Sequence, residues 1–529
     1  STTVYRKNLY TRWVDTTEGS YTYLEFKNRC DSLSRILTQY GVGSGDKVAI
    51  LSQNMPNWSV AFFAIVPFGR IAVPILPESS ENEISNILSH SESKAIFISK
   101  KLLPKLSQEC MDKLDLIIEI ETFDTIKRDP LKFTCDGKVA MPMPEDIATI
   151  IYTSGTTGTA KGVVLSHRNL TSNVISSYHA KKRNEKDRWL SILPMPHTYE
   201  LTIGMLYPMY CGASVYYISK PPTPTILLKA IKEVRPTTIL SVPLIIEKIY
   251  NNSIMPTIKK SRFLSWMNKN MNWLLCKFIG MKLKKTFGGR LSFFGVGGAK
   301  MNSDIEQFIL KAGFPYAIGY GLTETAPLLS QAVGRIRTAG SIGFPVKGVQ
   351  LKLHNVSPET GEGEIVAKGP NVMLGYYKDP TRTNEAFTED GWFRTNDLAC
   401  QDKKGRFYIK GRLNNMILGS SGENIYPEEI EKVINGIEDI NESIVLERDG
   451  RLVAFVQYND NIINWDQEGE DEFFQMLENR KKAILTYVNK KVSSFSKLQE
   501  IIVLKEPFER TATQKIRRFK YKTYNIRNK

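Results

Sequence analysis

The run Ile151-Tyr152-Thr153-Ser154-Gly155-Thr156-Thr157-Gly158-Thr159-Ala160-Lys161-Gly162-Val163-Val164 constrains this chain more than any other stretch. Ala148 to Tyr152 is apolar and β-branched, as a buried strand is, and Gly162-Val163-Val164-Leu165 reads as its return. Gly155 and Gly158 let the backbone between them turn tightly and leave N–H groups open. Ser154, Thr156, Thr157 and Thr159 add hydroxyl donors, and Lys161 adds a point charge, so the loop can cradle a polyphosphate. It is not a Walker A loop: that motif ends in Gly-Lys-Ser/Thr, whereas Lys161 stands between Ala160 and Gly162. A hairpin without a ligand is the ordinary reading of a Gly/Ser/Thr run, and the rest of the chain decides between the two.

Upstream, short apolar runs alternate with helical patterns. Tyr21 to Phe26 reads as a strand entering a helix, Val48 to Leu51 as a strand, Asn57 to Ala64 as the opening of a helix and Ile71 to Leu76 as a strand. Glu81 to His90 is helical again and Ala95 to Ile98 is the next strand. This alternation predicts parallel βαβ units. The apolar stretch from Val60 to Leu76 is too short to span a bilayer and is broken by Pro67, Arg70 and Pro74, so it reads as a buried helix and strand. The six cysteines show no Cys-x-x-Cys spacing, which argues against a zinc site or a disulfide framework and for a reducing compartment. His90, His179 and His354 carry no ligand spacing and read as structural or exposed. The first residues lack the pattern of a secretory signal, and the expected location is cytoplasmic, peripheral at the inner face of the membrane on one reading of the charge. That charge is +16, which suits nucleic acid, an anionic membrane or anionic small substrates. With no zinc finger, RRM signature or basic recognition helix, nucleic acid is not expected.

Further motifs follow in order. Leu190 to Leu193 is a strand running into Pro194-Met195-Pro196-His197-Thr198-Tyr199-Glu200, which places His197 at a strand's carboxyl end, where α/β proteins hold ligands. Phe293-Phe294-Gly295-Val296-Gly297-Gly298-Ala299 is a strand entering a glycine turn, and Tyr320-Gly321-Leu322-Thr323-Glu324-Thr325 comes next. Gly340 to Pro345 and Gly361 to Val366 read as turn–strand units of a small β region. Gly375-Tyr376-Tyr377 precedes a helix from Asp379 to Ala386, and Gly391-Trp392-Phe393-Arg394-Thr395-Asn396-Asp397 follows. Then come Lys410-Gly411-Arg412-Leu413-Asn414, the loop Gly419-Ser420-Ser421-Gly422-Glu423 ahead of a helix opened by Pro427, and Arg510-Thr511-Ala512-Thr513-Gln514-Lys515 near the end. By composition alone Lys515 is one cation in a solvated basic tail.

Together these motifs resemble those of the adenylate-forming superfamily of acyl-CoA synthetases, luciferases and peptide-synthetase adenylation domains. The Tyr199-Glu200 pair, the basic segment before Arg290 and the Gly319 to Thr325 motif are most similar to long-chain fatty acyl-CoA synthetases. The resemblance implies an α/β fold: a large N-terminal domain of βαβ sheets with a small β region (1–411) and a smaller, mobile α+β C-terminal domain (412–529). It implies ATP, Mg2+ and CoA as cofactor and co-substrates. Thr153, Ser154, Gly155, Thr156, Thr157, Gly158 and Lys161 would hold the phosphates. His197 would lie beside the acyl carboxylate, and Gly297, Gly298 and Ala299 would line the adenine pocket with Tyr320 and Gly321. Thr323 would bind the α-phosphate. Glu324, with Thr156, would serve magnesium, a hard cation that takes a carboxylate and phosphate oxygens. Asp397 would accept from both ribose hydroxyls, and Arg412 would contact the nucleotide. Lys515 would be the catalytic lysine, and the Gly422 loop would enter for thiolysis after rotation about Asn414, a hinge transition. Three departures stand out: Asn396 where many members have Gly, Asn414 where Asp or Lys is usual, and Ala512 in place of a common Pro.

The expected reaction joins a fatty acid to CoA through an acyl-adenylate. The alternatives are an acyl-AMP ligase that loads a carrier protein, a CoA ligase for an aryl or short-chain acid, and a silent lipid-binding scaffold, against which the intact Lys515, Glu324 and Asp397 argue. Nothing in the sequence fixes the acid or the oligomeric state. Residues 251–290 hold nine Lys and Arg, no acid, and interleaved Trp266, Met267, Trp273, Leu274, Leu275 and Phe278. They read either as a basic amphipathic helix pair resting on an anionic bilayer or as a solvated excursion whose aromatics pack on the main body.

Overall fold

The structure is a computed structural model that describes residues 9–13, 19–129, 139–154, 160–218, 223–418, 424–459, 462–467, 471–511, 516–522 and 524. Gly155, Thr156, Thr157, Gly158, Gly422 and Lys515 lie outside the described residues. The chain falls into two compact units: Ser1–Lys352 with Val366–Arg394 and Lys403–Phe407, and Leu353–Ile365 with Thr395–Asp402 and Tyr408–Lys529.

Two sheets build the first unit. One has eight strands in the order Gly375–Tyr376, Ala160–Ser166, Ile147–Ser154, Ile71–Ile75, Lys47–Leu51, Ser93–Ile98, Leu116–Glu119 and Thr125–Arg128. Its centre is parallel, as the βαβ alternation predicts. Every residue of Ile71–Ile75 is buried, which is why this strand reads as a continuous apolar run rather than an alternating one. Helix Pro56–Ile65 is buried at every position but Phe63, and its face is apolar all round but for Asn57 and Ser59, which are hydrogen-bonded to Ile120 O at 2.8 Å and to the Tyr217 hydroxyl at 2.9 Å. Arg70, close behind it, is fully buried and satisfied: it donates to Val42 O at 2.8 Å, Ser34 Oγ at 2.9 Å and Thr38 Oγ1 at 2.5 Å. Helix starts follow the capping chemistry of the sequence: Ser80 and Glu83 form a capping box at Glu81–Ser91, and Ser166 and Asn169 another at His167–Ala180.

The second sheet has nine strands, ordered Phe344–Pro345, Leu328–Ala332, Tyr316–Gly321, Phe293–Val296, Thr238–Ser241, Arg188–Ser191, Ser214–Tyr217, Leu9–Trp13 and Tyr21–Thr22. Tyr316–Gly321 through Ser214–Tyr217 run parallel. Phe344–Pro345 was expected in the small β region and instead forms the edge of this sheet, paired with Leu328–Ala332. Pro345 has no N–H to donate, so an edge is where it fits. The expected helix pair in 251–290 is three helices, Met255–Lys260, Arg262–Asn270 and Asn272–Thr286. Ser261 breaks the first from the second and caps it through Leu264 N–H, and Met271, at φ −138°, breaks the second from the third. Among the described residues no helix is long and apolar enough to cross a membrane.

The second unit is α+β. Strands Ile440–Arg448 and Arg451–Tyr458 pair antiparallel, and Glu500–Val503 joins the latter in parallel. Helices Pro427–Ile434 and Asp471–Asn489 supply Ile430, Ile434, Phe473 and Val488 to a core shared with Val445, Ala454 and Val456. Residues 462–467 pack beside this core, with Ile463 buried and Trp465 against Phe473 at 5.7 Å between ring centroids. A further four-stranded sheet is formed by Gln350–His354, Glu362–Lys368, Phe393–Gln401 and Phe407–Arg412.

Candidate active site

Ile147–Ser154 and Ala160–Ser166 form the hairpin read from the sequence, in the register Ile151↔Val163, Tyr152↔Gly162 and Thr153↔Lys161. Lys161 therefore leaves the loop on a fixed strand. Its Nζ lies 3.2 Å from Glu324 Oε1 and donates to the Tyr376 hydroxyl at 2.8 Å, which donates to the same Glu324 oxygen at 2.9 Å. Burial, with Glu324 beside it, pushes the Tyr376 phenol up, so it stays protonated and able to donate. Lys161 also stands over the Tyr376 ring, 4.4 Å from its centroid. Sequence reasoning paired neither Tyr376 with Lys161 nor Tyr376 with Glu324, because 215 and 52 residues separate them.

Residues 373–377 cross between the two sheets. Met373 N–H donates to Glu324 O at 2.8 Å, Leu374 N–H to Val164 O at 3.0 Å and Tyr377 N–H to Gly162 O at 2.7 Å. Thr323 and Glu324 sit on a one-turn 3-10 helix, Thr323–Thr325, after strand Tyr316–Gly321. Two buried asparagines clamp that turn, each donating to Thr325 O and Leu328 O: Asn173 at 3.1 Å and 3.1 Å, Asn371 at 2.9 Å and 3.0 Å. Neither asparagine belongs to a motif, and only their burial marks them.

Tyr320 and Gly321 close the strand and are half-buried. The glycine turn follows Phe293–Val296: Gly297 is buried, Gly298 has φ +84° and with Ala299 is exposed, so backbone is presented there with little side chain over it. His197 is half-buried. Its N–H donates to Pro194 O at 3.1 Å, and its carbonyl accepts from Leu201 N–H at 2.8 Å where the chain enters the π-helical segment Tyr199–Leu206. The Thr153 hydroxyl, next to the glycine loop, is buried without a hydrogen-bond partner among the described residues, as expected of a group that meets a ligand. Thr153, Lys161 and Glu324 thus fit a magnesium–polyphosphate: one donor and one cation on the hairpin strands, and one carboxylate brought against the cation by the Thr323–Thr325 turn. Among the described residues no three His, Cys, Asp or Glu cluster as metal ligands; Glu324, with substrate oxygens, would be the carboxylate to hold a divalent ion here, the usual way magnesium is held.

An apolar cavity adjoins the His197 segment, lined by Trp189, Tyr199, Tyr207, Leu240, Phe293 and Leu328 among others. Glu200 beside Tyr199 is buried, and desolvation, opposed by a hydrogen bond with Ser191, lifts its carboxyl from 4.5 to about 8. Its Oε2 has no partner among the described residues.

In the second unit Asp397 is buried on strand Phe393–Gln401, with Arg412 Nε 3.2 Å from its Oδ1. Asn396 before it has φ +58°. Gly reaches that left-handed region freely and Asn tolerates it, which accounts for Asn where Gly is common. Lys515 lies outside the described residues, but its flanks are pinned: Arg510 bridges Ile516, Arg517 N–H donates to Glu509 O at 2.9 Å, and Arg518 Nη2 meets the buried Glu431 at 2.6 Å. Arg510, Arg517 and Arg518 thus have partners within the second unit.

A family model described as AMP-binding enzyme matches residues 4–377. The chain belongs to the AMP-binding enzyme family. This member is 30% identical over 466 residues to a peroxisomal long chain acyl-CoA synthetase of Arabidopsis thaliana, covering 79% of this chain and 66% of that protein. The chain thus spans just under two thirds of that relative's length. A long-chain-fatty-acid–CoA ligase of Mycobacterium bovis is 27% identical over 474 residues, covering 83% of this chain and 77% of that protein. Among solved structures, o-succinylbenzoate CoA synthetase from Bacillus subtilis in complex with its acyl-adenylate intermediate superposes with a TM-score of 0.78 at 21% identity, over 98% of this chain and 96% of that one. The fold of this family member is accordingly that of an adenylate-forming enzyme.

Proposed function

We propose that this chain is an AMP-forming acid–thiol ligase that activates a long-chain fatty acid. A carboxylate acylates poorly because its leaving group would be oxide. Attack of a carboxylate oxygen on the α-phosphorus of ATP releases pyrophosphate and makes an acyl-adenylate. Attack of the CoA thiol on its carbonyl carbon then forms the thioester and releases AMP. The observation that carries this reading is the Lys161–Tyr376–Glu324 cluster beside the glycine loop, a cation and a carboxylate side by side that suit phosphate and its magnesium. Catalysis of this kind is positioning plus charge neutralisation.

Lys161 and Thr153, with Ser154, Gly155, Thr156, Thr157 and Gly158, take the phosphates in this reading. Thr323 takes the α-phosphate, and Glu324, with Thr156, holds magnesium, which neutralises charge on the phosphate oxygens. Tyr320, Gly321, Gly297, Gly298 and Ala299 receive adenine, Asp397 receives the ribose hydroxyls and Arg412 contacts the nucleotide. His197 orients the acyl carboxylate, Lys515 serves the adenylation step, and the Gly422 loop serves thiolysis. The apolar lining beside Tyr199 supports an aliphatic acid, since each buried methylene is worth about 0.8 kcal/mol. The relatives named as long-chain ligases point the same way.

The test is AMP formation from magnesium-ATP over saturated acids from short to long, with and without CoA. Activity that rises with chain length and needs CoA for turnover is the expected result. Pyrophosphate exchange without CoA turnover would replace it with a carrier-protein ligase, and activity confined to aryl or short acids would replace the substrate. Lys515→Ala should abolish adenylation and spare thiolysis of supplied acyl-AMP. Equal loss of both steps would remove Lys515 from the role assigned to it.

A further inference from the structure

Away from the candidate site, the three helices of 255–286 present an unusual outer face. Their inner side is settled. Ile258, Leu275, Cys276, Ile279 and Leu283 are buried in one cluster with Phe308, Ile309 and Phe314. At Gly280 the third helix comes so close to the body that a Cβ would stand 1.9 Å from Ala312 O. The helix is therefore seated on Ser303–Lys311 with no room to roll. The outer side is not covered: Phe263 is 66% exposed, Trp266 53%, Trp273 58%, Phe278 53% and Met281 65%. Phe263 and Trp266 stack on each other, 6.4 Å between centroids, and Lys277 lies over Trp273 at 5.1 Å. Lys277, Lys282, Lys284 and Lys285 are exposed around them.

Large aromatics gathered on a surface mark something that covers them. The charge says what. Residues 251–290 carry nine Lys and Arg and no Asp or Glu. A second copy seated face to face would bring like charge against like charge, so self-association is disfavoured. A surface that accepts both features offers negative headgroups over an apolar interior. Tryptophan partitions to that boundary, and lysine stems lie along apolar matter while their ammonium groups reach the headgroups.

We propose that the outer face of Arg262–Thr286 docks on an anionic phospholipid bilayer, with Phe263, Trp266, Trp273 and Phe278 entering the headgroup boundary and the lysines meeting lipid phosphates. The proposal rests on this face alone and is independent of the reaction assigned above. The helices lie flat in the interface rather than spanning it.

The full chain is sedimented with vesicles of phosphatidylcholine alone and of phosphatidylcholine with phosphatidylglycerol, at low and high salt. Binding to the anionic vesicles only, weakened by salt, is expected. Replacing Lys277, Lys282, Lys284 and Lys285 by Gln should weaken partition about fivefold per lysine, and Trp266→Ser with Trp273→Ser should weaken it further. In the unaltered protein, brominated phosphatidylglycerol should quench tryptophan fluorescence, a readout that needs no variant to fold. Equal binding to neutral vesicles, unchanged sedimentation of the Lys→Gln variant, or absence of quenching would overturn the proposal. A concentration-dependent dimer that Trp273→Ser dissociates would overturn it in favour of a second copy.

Discussion

At Tyr376 one phenol hydroxyl stands between a cation and a carboxylate, accepting from Lys161 and donating to Glu324. Tyr376→Phe keeps the ring under Lys161 and removes both hydrogen bonds. Each hydrogen bond to a charged group is worth roughly 1.5–3 kcal/mol, so adenylation should fall by about tenfold or more and the magnesium requirement should rise. Steady-state AMP formation against magnesium concentration measures both, and an unchanged magnesium dependence would show the hydroxyl to be idle. Glu200 makes a different prediction. In the unfolded chain its carboxyl loses its proton near 4.5, while in the folded chain burial holds the proton to about 8. Its contribution to stability is therefore full below the unfolded value and is lost as pH rises through the folded one, by an amount on the order of a few kcal/mol. Glu200→Gln is a neutral isostere without that titration. The melting temperature of the variant should fall less than that of the unaltered protein across this window. Parallel curves would mean that the carboxyl is charged in the fold.

Elements differ in how far the sequence exposes them. Lys47–Leu51, Ile71–Ile75 and Ser93–Ile98 were readable because each is a short apolar run bounded by turn residues and buried on both faces. Ser80, Ser166 and Pro427 announce helix starts through local chemistry. The glycine loop, the glycine turn and the Tyr320 to Glu324 stretch were legible as motifs for the same local reason. What was not legible depends on distant partners. Tyr376 gains its position from strand pairing with Val163, and Asn173 and Asn371 from the fold of a turn far along the chain. Arg518, beyond Lys515, finds its acid, Glu431, 87 residues away, a partner that no local pattern shows. Glu431 also accepts from Val445 N–H at 2.7 Å. Removing one partner of such a buried pair costs about 3–5 kcal/mol. Arg518→Ala should therefore loosen the second unit, read as faster amide exchange in Ile440–Arg448. It should also slow adenylation more than thiolysis of supplied acyl-AMP, and an equal effect on the two steps would make the anchor purely structural.

On the scale of the whole molecule, each unit has its own cores: one set from the two large sheets, another around Ile440–Arg448 and Arg451–Tyr458. Because unfolding enthalpy scales with residue number, calorimetry should resolve two transitions, the smaller carrying roughly a quarter of the total. A single transition with matching calorimetric and van't Hoff enthalpies would show that the units unfold as one. The crossing at 373–377 has a consequence of its own. Its amides are fixed to Glu324 O at one end and Gly162 O at the other, so its length is as constrained as any motif. Adding or deleting one residue there would turn Tyr376 to the opposite face and part the loop lysine from the carboxylate at a stroke. Indels in this stretch should be rejected, while the exposed turn at Glu389–Gly391 accepts them. Anyone recombining this chain with a relative should keep the crossover points out of 373–377.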